Sequence, residues 1–364
     1  MDAQQPIALL TLHRTANFGS ALQAYALYTA VAQAGHAVHL LDYTCAAVRR
    51  REALVPWPPS PRALYRRLRY GKALRQKRRA LDRFLTGYAA LSPAYTRRTL
   101  AQANLRYQTF LIGSDLVWGQ AITGGDPAYF LDFTAPGARR LAFAASAGNP
   151  WDAGFARHIQ PLLARFTHIA VREAALSQWV GDLLGDPPPV VGDPTLLLPP
   201  AHWQAMAAPP MDAAPYVLVY FCDPAGRIFA DAAAYARAHG CAVRYVTFGR
   251  AQPGTDTVQP KDPGTFLGLV RHARCVFTAS YHGMLFALYF RREFFYYNRA
   301  NVTRMQALAT WLGVTDRDAL HADIRQAAPL CHDALAGKLD ALRQRSLAEL
   351  AAMLTPAQEV ALHG

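Results

Sequence analysis

At 364 residues, 52% hydrophobic and 17% charged, the chain is long enough for two domains with separate cores and too apolar to be disordered. No apolar run approaches the roughly 20 residues of a membrane-spanning helix, and residues 7–12 run directly into His13 and Arg14, unlike a secretory signal. The net charge is +13, and the five cysteines (45, 222, 241, 275, 331) form no C-x-x-C pair. This argues against a disulfide framework or a zinc site and makes a reducing cytoplasm the expected location.

In chain order, residues 7–12 read as a strand, 20–34 as a helical run closed by Gly35, and 37–42 as a second strand. That is a βαβ unit, with a right-handed crossover in a parallel sheet. An insertion over about residues 45–107 comes next. It opens with a Pro-rich stretch, 55–61, and continues as an Arg-rich helical segment with apolar positions at Leu64, Leu68, Leu74, Leu81, Phe84 and Leu85. Within residues 49–106, sixteen Lys or Arg stand against Glu52 and Asp82, a net of +14, so the rest of the chain is near neutral at −1. Three readings of this segment stay open. It can lie on the anionic inner face of the plasma membrane, it can steer acidic glycans or lipid-pyrophosphate-linked intermediates, or it can be a solvated helix face. It carries no recognised reader motif and no aromatic stacking platform, so nucleic acid is not an expected partner.

Beyond the insertion the alternation resumes. Residues 109–112, 141–145 and 168–171 read as strands, with helical runs at 154–166 and 174–184, and Val190-Val191 leads into Gly192-Asp193-Pro194-Thr195. Residues 199–215, rich in proline, read as a linker. A second block has strands at 216–221, 242–248 and 293–297, helices at 228–239 and 265–272, and a final helix from residue 336. The expected organisation is α/β: a Rossmann-like domain over 1–198, the linker 199–215, a second Rossmann-like domain over 216–335, and a C-terminal helical segment over 336–364. Two doubly wound domains facing each other across a cleft place the site beyond the carboxyl ends of their strands.

Candidate site residues recur at those strand ends. The apolar run Cys275-Val276-Phe277-Thr278 leads into Ser280-Tyr281-His282-Gly283 and then a helical pattern through Leu288. A helix N-terminus leaves N–H groups unpaired and favours an anion, and histidine is the side chain suited to proton transfer near neutrality. A capped helix with an incidental histidine is the plainer alternative. His13, Asn17, Gly19 and Ser20 come after the first strand, Gly113, Ser114 and Asp115 after another, and Arg172 after a third. Asp115 can orient a hydroxyl or act as a base, or can cap the next helix. Asn17 suits a helix cap, with Gly19 and Ser20 lining the cleft. Arg304, near Asn298 and Asn301, can serve the site or a surface ion pair. There is no metal-ligand cluster.

The segments Asn17-Phe18-Gly19-Ser20-Ala21-Leu22-Gln23, Gly113-Ser114-Asp115-Leu116-Val117-Trp118, Val171-Arg172-Glu173, Asp193-Pro194-Thr195 and Ser280–Phe286 closely resemble, in order and spacing, motifs of the polysaccharide pyruvyl transferase family. The resemblance spans about residues 7–310, with Leu116 standing where the family usually has Gln. It implies a fold like that of glycosyltransferases with twin Rossmann domains. It also implies phosphoenolpyruvate as donor substrate with no further cofactor, and a glycan or lipid-linked oligosaccharide as acceptor. His282 resembles the family's catalytic histidine and Arg172 its phosphoenolpyruvate ligand. Two other functions fit the same architecture: a nucleotide-sugar glycosyltransferase, for which Glu293 is the nearby acidic residue, and a non-catalytic glycan-binding relative.

Overall fold

The structure, a computed structural model, describes residues 5–54, 60–221, 226–298 and 303–355. Most of the Pro-rich opening of the insertion, Cys222, Asn301 and the end of the chain after residue 355 lie outside the described residues. The first sheet contains β1 (Ile7–Leu10), β2 (Val38–Leu40), β3 (Thr109–Ile112), β4 (Arg139–Ala145) and β5 (His168–Val171) in the order β2-β1-β3-β4-β5. The second contains β6 (Tyr216–Tyr220), β7 (Ala242–Val246), β8 (Asp256–Val258), β9 (Cys275–Thr278) and β10 (Glu293–Tyr296) in the order β10-β9-β6-β7-β8. Every strand pair in both sheets is parallel. β1, β6 and β9 are buried along their whole length. That is why their sequences are continuous apolar runs rather than alternating ones: helices cover both faces of a parallel sheet.

The strand orders locate the cleft. In the first sheet the winding reverses between β1 and β3, which pair from Ile7–Thr109 to Leu10–Ile112; in the second it reverses between β6 and β9, which pair from Val217–Cys275 to Tyr220–Thr278. Loops diverge from each reversal point and leave a crevice at the carboxyl ends. The two crevices face each other.

Several elements differ from the sequence reading. The stretch 199–215 begins as a helix, Pro200–Met206, whose Trp203 is fully buried and donates its indole N–H to the Thr195 carbonyl at 2.9 Å. Its prolines start that helix rather than prevent it. The C-terminal helix begins at His332 and runs to Leu354. It packs back on the first domain: Arg139 donates to the Leu354 carbonyl at 3.0 Å, and Gly192 N–H to Ser346 Oγ at 2.9 Å. In the insertion, a 28-residue helix covers Pro61–Tyr88. Its apolar stripe is not used uniformly. Leu81 and Leu85 are buried and Phe84 packs on Tyr25 of the first helix, while Leu68 is 86% exposed, with Leu64 and Tyr65 also exposed. No helix among the described residues is long and apolar enough to cross a membrane.

Candidate active site

The first-domain side is built around the turn after β3. Asn17 caps the first helix, Phe18–Gln33, its Oδ1 accepting from Gly19 N–H at 2.8 Å and Ser20 N–H at 3.4 Å. Ser20 Oγ is thereby aimed at Asp115, donating to Oδ2 at 2.8 Å. Asp115 has φ +67°, a left-handed conformation that costs a non-glycine residue and persists only where its surroundings hold it. Gln23 supplies part of that hold. Its Oε1 accepts from Ser114 Oγ at 2.6 Å and its Nε2 donates to Thr11 Oγ1 at 3.0 Å, all within the buried interior.

On the opposite side Ser280 caps the Tyr281–Tyr289 helix, its Oγ accepting from Gly283 N–H at 3.3 Å. This puts His282 in the first turn, 5% exposed, with Nε2 3.3 Å from Asp193 Oδ2. The separation is that of an ion pair, without the alignment of a hydrogen bond. Asp193 is itself fixed: Oδ1 accepts from Thr195 N–H at 3.0 Å and Thr195 Oγ1 at 2.8 Å, and Oδ2 accepts from Arg172 Nη1 at 2.7 Å. Burial pushes the Asp193 carboxyl up, but His282 and Arg172 outweigh it and hold it well below the ordinary carboxylate range. An ionised aspartate behind an imidazole fixes the orientation of the ring. The other ring edge lies against Gly19, where any Cβ would overlap Nδ1. Glycine is therefore what lets the first helix approach the histidine.

Two arginines bracket Tyr281, with guanidinium carbons 4.9 Å (Arg172) and 5.5 Å (Arg304) from its ring centroid. They are not equivalent. The Arg172 side chain is 1% exposed and enclosed by carboxylates: Asp193 at 2.7 Å, Asp115 at 3.4 Å and Glu173 at 3.8 Å. The Arg304 side chain is 19% exposed and meets only Asp115, at 3.2 Å, among the described residues. Burial and the neighbouring Arg172 charge lower the Arg304 pKa from its ordinary value, more than Asp115 restores it. Arg304 is thus a cation short of negative charge. Asp115, raised by burial but lowered more by Arg172 and Arg304, is held at about 2. At neutral pH it is a fixed anion, too weakly basic to be an efficient proton acceptor.

These groups surround a cavity of about 290 Å³. Asn17, Ser20, Asp115, Ser280, Tyr281, His282 and Arg304 line it, with Arg51 and Glu52 at one side and Leu12, Leu116, Ile122 and Met305 as apolar wall. Three helices begin at this cavity: Phe18–Gln33, Tyr281–Tyr289 and Thr303–Leu312. Together with Arg304 they favour a small anion.

Of the other residues singled out from the sequence, Gly19, Ser114 and Arg172 support the wall from behind. Gly283 packs against Thr278, whose hydroxyl a Cβ there would strike. His13 stands apart. Its Nδ1 lies 3.1 Å from the Thr11 carbonyl and its Nε2 3.6 Å from Asp42, beside the Arg14–Asp42 ion pair. Glu293 begins β10, at the end away from the cleft, and is occupied by Arg317 at 2.6 Å and the Leu330 N–H at 2.9 Å. It cannot serve a nucleotide in the cleft. The residue overlooked as a site group is Asp193. Its signal was present, an acid one glycine beyond the apolar pair Val190-Val191, of which Val190 bridges Val171 at the edge of the sheet.

A family model described as polysaccharide pyruvyl transferase matches residues 17–301. No curated protein matches the chain. Among solved structures, a glycosyltransferase of Rickettsia africae is similar at 9% identity, over 98% of this chain and 100% of its own, with a TM-score of 0.54. A Listeria monocytogenes protein assigned as a UDP-N-acetylglucosamine 2-epimerase is similar at 10% identity, over 96% of this chain and 91% of its own, with a TM-score of 0.52. At such identities these likenesses concern the fold, the two-domain α/β arrangement known as GT-B.

Proposed function

Because the chain belongs to the polysaccharide pyruvyl transferase family, we propose that it transfers the pyruvyl group of phosphoenolpyruvate to two hydroxyls of a cell-surface or exopolysaccharide glycan precursor. The product is a pyruvate ketal. The observation that carries this reading is the placement of His282 and Arg304 on one small cavity, a proton donor backed by a carboxylate beside an under-neutralised cation.

The steps are set by the chemistry of the donor. His282, oriented by Asp193, gives a proton to the methylene carbon, which becomes a methyl group and leaves an oxocarbenium-like centre at C2. A sugar hydroxyl adds to C2 and loses its proton. The C2–O bond to phosphate then breaks, phosphate departs with the bonding electrons, and the second hydroxyl adds and loses its proton. One proton is taken up and two are released, one of them leaving on the phosphate. Arg304 and the three helix N-termini stabilise the departing charge. Asp115 orients Ser20 and Arg304 rather than moving a proton, and Arg172 sets the position of Asp193 and Asp115. Phosphate release from phosphoenolpyruvate, dependent on a glycan acceptor and abolished in His282→Ala, tests the assignment. Thermal stabilisation by nucleotide sugars but not by phosphoenolpyruvate would reject it in favour of glycosyl transfer.

The exposed start of the basic helix, with Leu64, Tyr65 and Leu68 among arginines, fits peripheral contact with an anionic membrane. Co-sedimentation with phosphatidylglycerol vesicles at low salt, lost in Leu68→Glu, is the expected result. Absence of binding at low salt rules the contact out.

A further inference from the structure

The basic insertion also reaches the cavity. Its first helix, Ala46–Glu52, is seated on the first domain by Val48, which is buried, and by Cys45, whose Sγ donates to the Thr123 carbonyl at 3.4 Å. The last two residues of that helix, Arg51 and Glu52, line the cavity. Glu52 is one of two acids in a segment with sixteen basic residues. The other, Asp82, pairs with Arg14 at 3.4 Å. Glu52 is tied through one oxygen. Its Oε2 accepts from Ala16 N–H at 3.0 Å and lies 3.5 Å from Arg78 of the long basic helix, which also donates to the Glu52 carbonyl. Ala16 directly precedes Asn17, the cap of the helix whose Gly19 lies against His282. Oε1 of Glu52 has no hydrogen bond or ion pair among the described residues. Asp115, the other carboxylate lining the cavity, has neither oxygen free: Oδ1 faces Arg304 and Arg172, and Oδ2 takes the Ser20 hydroxyl.

We propose that Glu52 is the general base on the acceptor side of the cavity, taking the proton of the sugar hydroxyl that first attacks C2. The inference rests on the pyruvyl-transfer reading and adds a catalytic residue to it. The proton count creates the need. Two hydroxyls each lose a proton, and His282, having given one to the methylene carbon, can take back only one. As the first hydroxyl oxygen bonds to C2, the Glu52 carboxylate accepts its proton and becomes a carboxylic acid. When the C2–O bond to phosphate breaks, that proton leaves on the phosphate and Glu52 is ionised again. The second hydroxyl then bonds to C2, and its proton returns to His282. A carboxylate with one oxygen anchored and the other open suits this role. The base comes from the insertion, outside the network of Asp115, Asp193 and Glu173.

The test is steady-state phosphate release from phosphoenolpyruvate by the full-length protein, with phosphoenolpyruvate affinity measured by calorimetry in parallel. Methyl β-D-galactopyranoside, methyl β-D-glucopyranoside and water, which yields pyruvate, serve as surrogate acceptors. The proteins compared are the wild type, Glu52→Gln and Glu52→Ala. Glutamine keeps an oxygen for the Ala16 N–H and loses the capacity to take a proton. The expected result is turnover lowered by about 10²–10⁴-fold in Glu52→Gln, with phosphoenolpyruvate affinity within about twofold of the wild type. Formate, but not formamide, should raise the activity of Glu52→Ala by roughly tenfold or more, because it restores a carboxylate. Glu52→Gln keeping most of its activity overturns the proposal, since the phosphate itself then takes the proton. Affinity falling in step with turnover also overturns it, because Glu52 then serves the donor. Activity lost in both variants with no rescue by formate overturns it too, leaving Glu52 a tether for Ala16. Absence of both phosphoenolpyruvate binding and phosphate release in the wild type counts against the pyruvyl-transfer reading, separately from these outcomes.

Discussion

Arg172 and Arg304 stack near the same tyrosine and share Asp115, yet they have opposite electrostatic situations. Arg172 is surrounded by Asp193, Asp115 and Glu173 and is closed to the cavity. Arg304 has one shared carboxylate and faces the cavity. A buried cation that already has its counter-charges organises a site; one that lacks them recruits an anion. The contrast divides the cleft into a first-domain framework of fixed carboxylates and a second-domain face carrying His282 and Arg304. Donor chemistry is assigned to the second, and rigidity to the first.

The largest expected effect is at His282. His282→Ala should lower turnover by about 10²–10⁴-fold, the range for loss of a general acid, with little change in thermal midpoint. A variant that keeps most of its activity would remove the histidine from the mechanism.

The arginine pair should separate stability from binding. Arg172→Met leaves two buried carboxylates short of a partner and should destabilise the protein by about 3–5 kcal/mol in denaturant titration. Arg304→Gln should unfold like the wild type but bind phosphoenolpyruvate roughly 10–100-fold more weakly, as expected for a lost charged hydrogen bond. Equal destabilisation by both substitutions would dissolve the distinction drawn between them.

Gly19→Ala probes the seam between framework and face. The new methyl group would overlap His282, so the ring or the helix must shift, at about 1–3 kcal/mol of overpacking. Turnover should fall more than phosphoenolpyruvate affinity. A fall in affinity alone would mean that the ring is not held where it is needed.

The smallest effect concerns acid. Asp115 is depressed in the fold to about 2, against roughly 3.9 in an unfolded chain. Its folded pKa is the lower one, so its stabilisation is complete above about pH 4 and disappears as the pH falls toward 2. The difference in thermal midpoint between the wild type and Asp115→Asn should accordingly be flat from pH 7 to about pH 5 and shrink below pH 4. A difference that grows on acidification would contradict the ion-pair network.

Much of this arrangement was legible in the sequence for a local reason. Buried parallel strands are short apolar runs, and a run ending in Ser280-Tyr281-His282 announces a strand, a turn and a helix start without knowledge of anything distant. Asn17 was readable as a cap on the same grounds. The roles of the arginines were not. Val171-Arg172-Glu173 shows that an arginine comes directly after a strand, but its carboxylate partners Asp115 and Asp193 arrive from loops 57 and 21 residues away. Only the fold decides whether it meets substrate or protein. Asp193 was overlooked for the same reason, since its importance lies in what His282 does 89 positions later. The helix Pro200–Met206 was hidden by prolines that read as linker but sit at its first turn. In the basic helix, one apolar stripe gave no sign that Leu81 and Leu85 would be covered and Leu68 left bare.

The central claim, that the cavity beside His282 is a phosphoenolpyruvate site completed by Arg304, is tested most directly by calorimetric titration of phosphoenolpyruvate into the wild type, Arg304→Gln and His282→Ala. Saturable one-site binding to the wild type, weakened at least tenfold in Arg304→Gln and largely kept in His282→Ala, is the result predicted. No saturable binding to the wild type, or equal affinity in wild type and Arg304→Gln, would contradict the account.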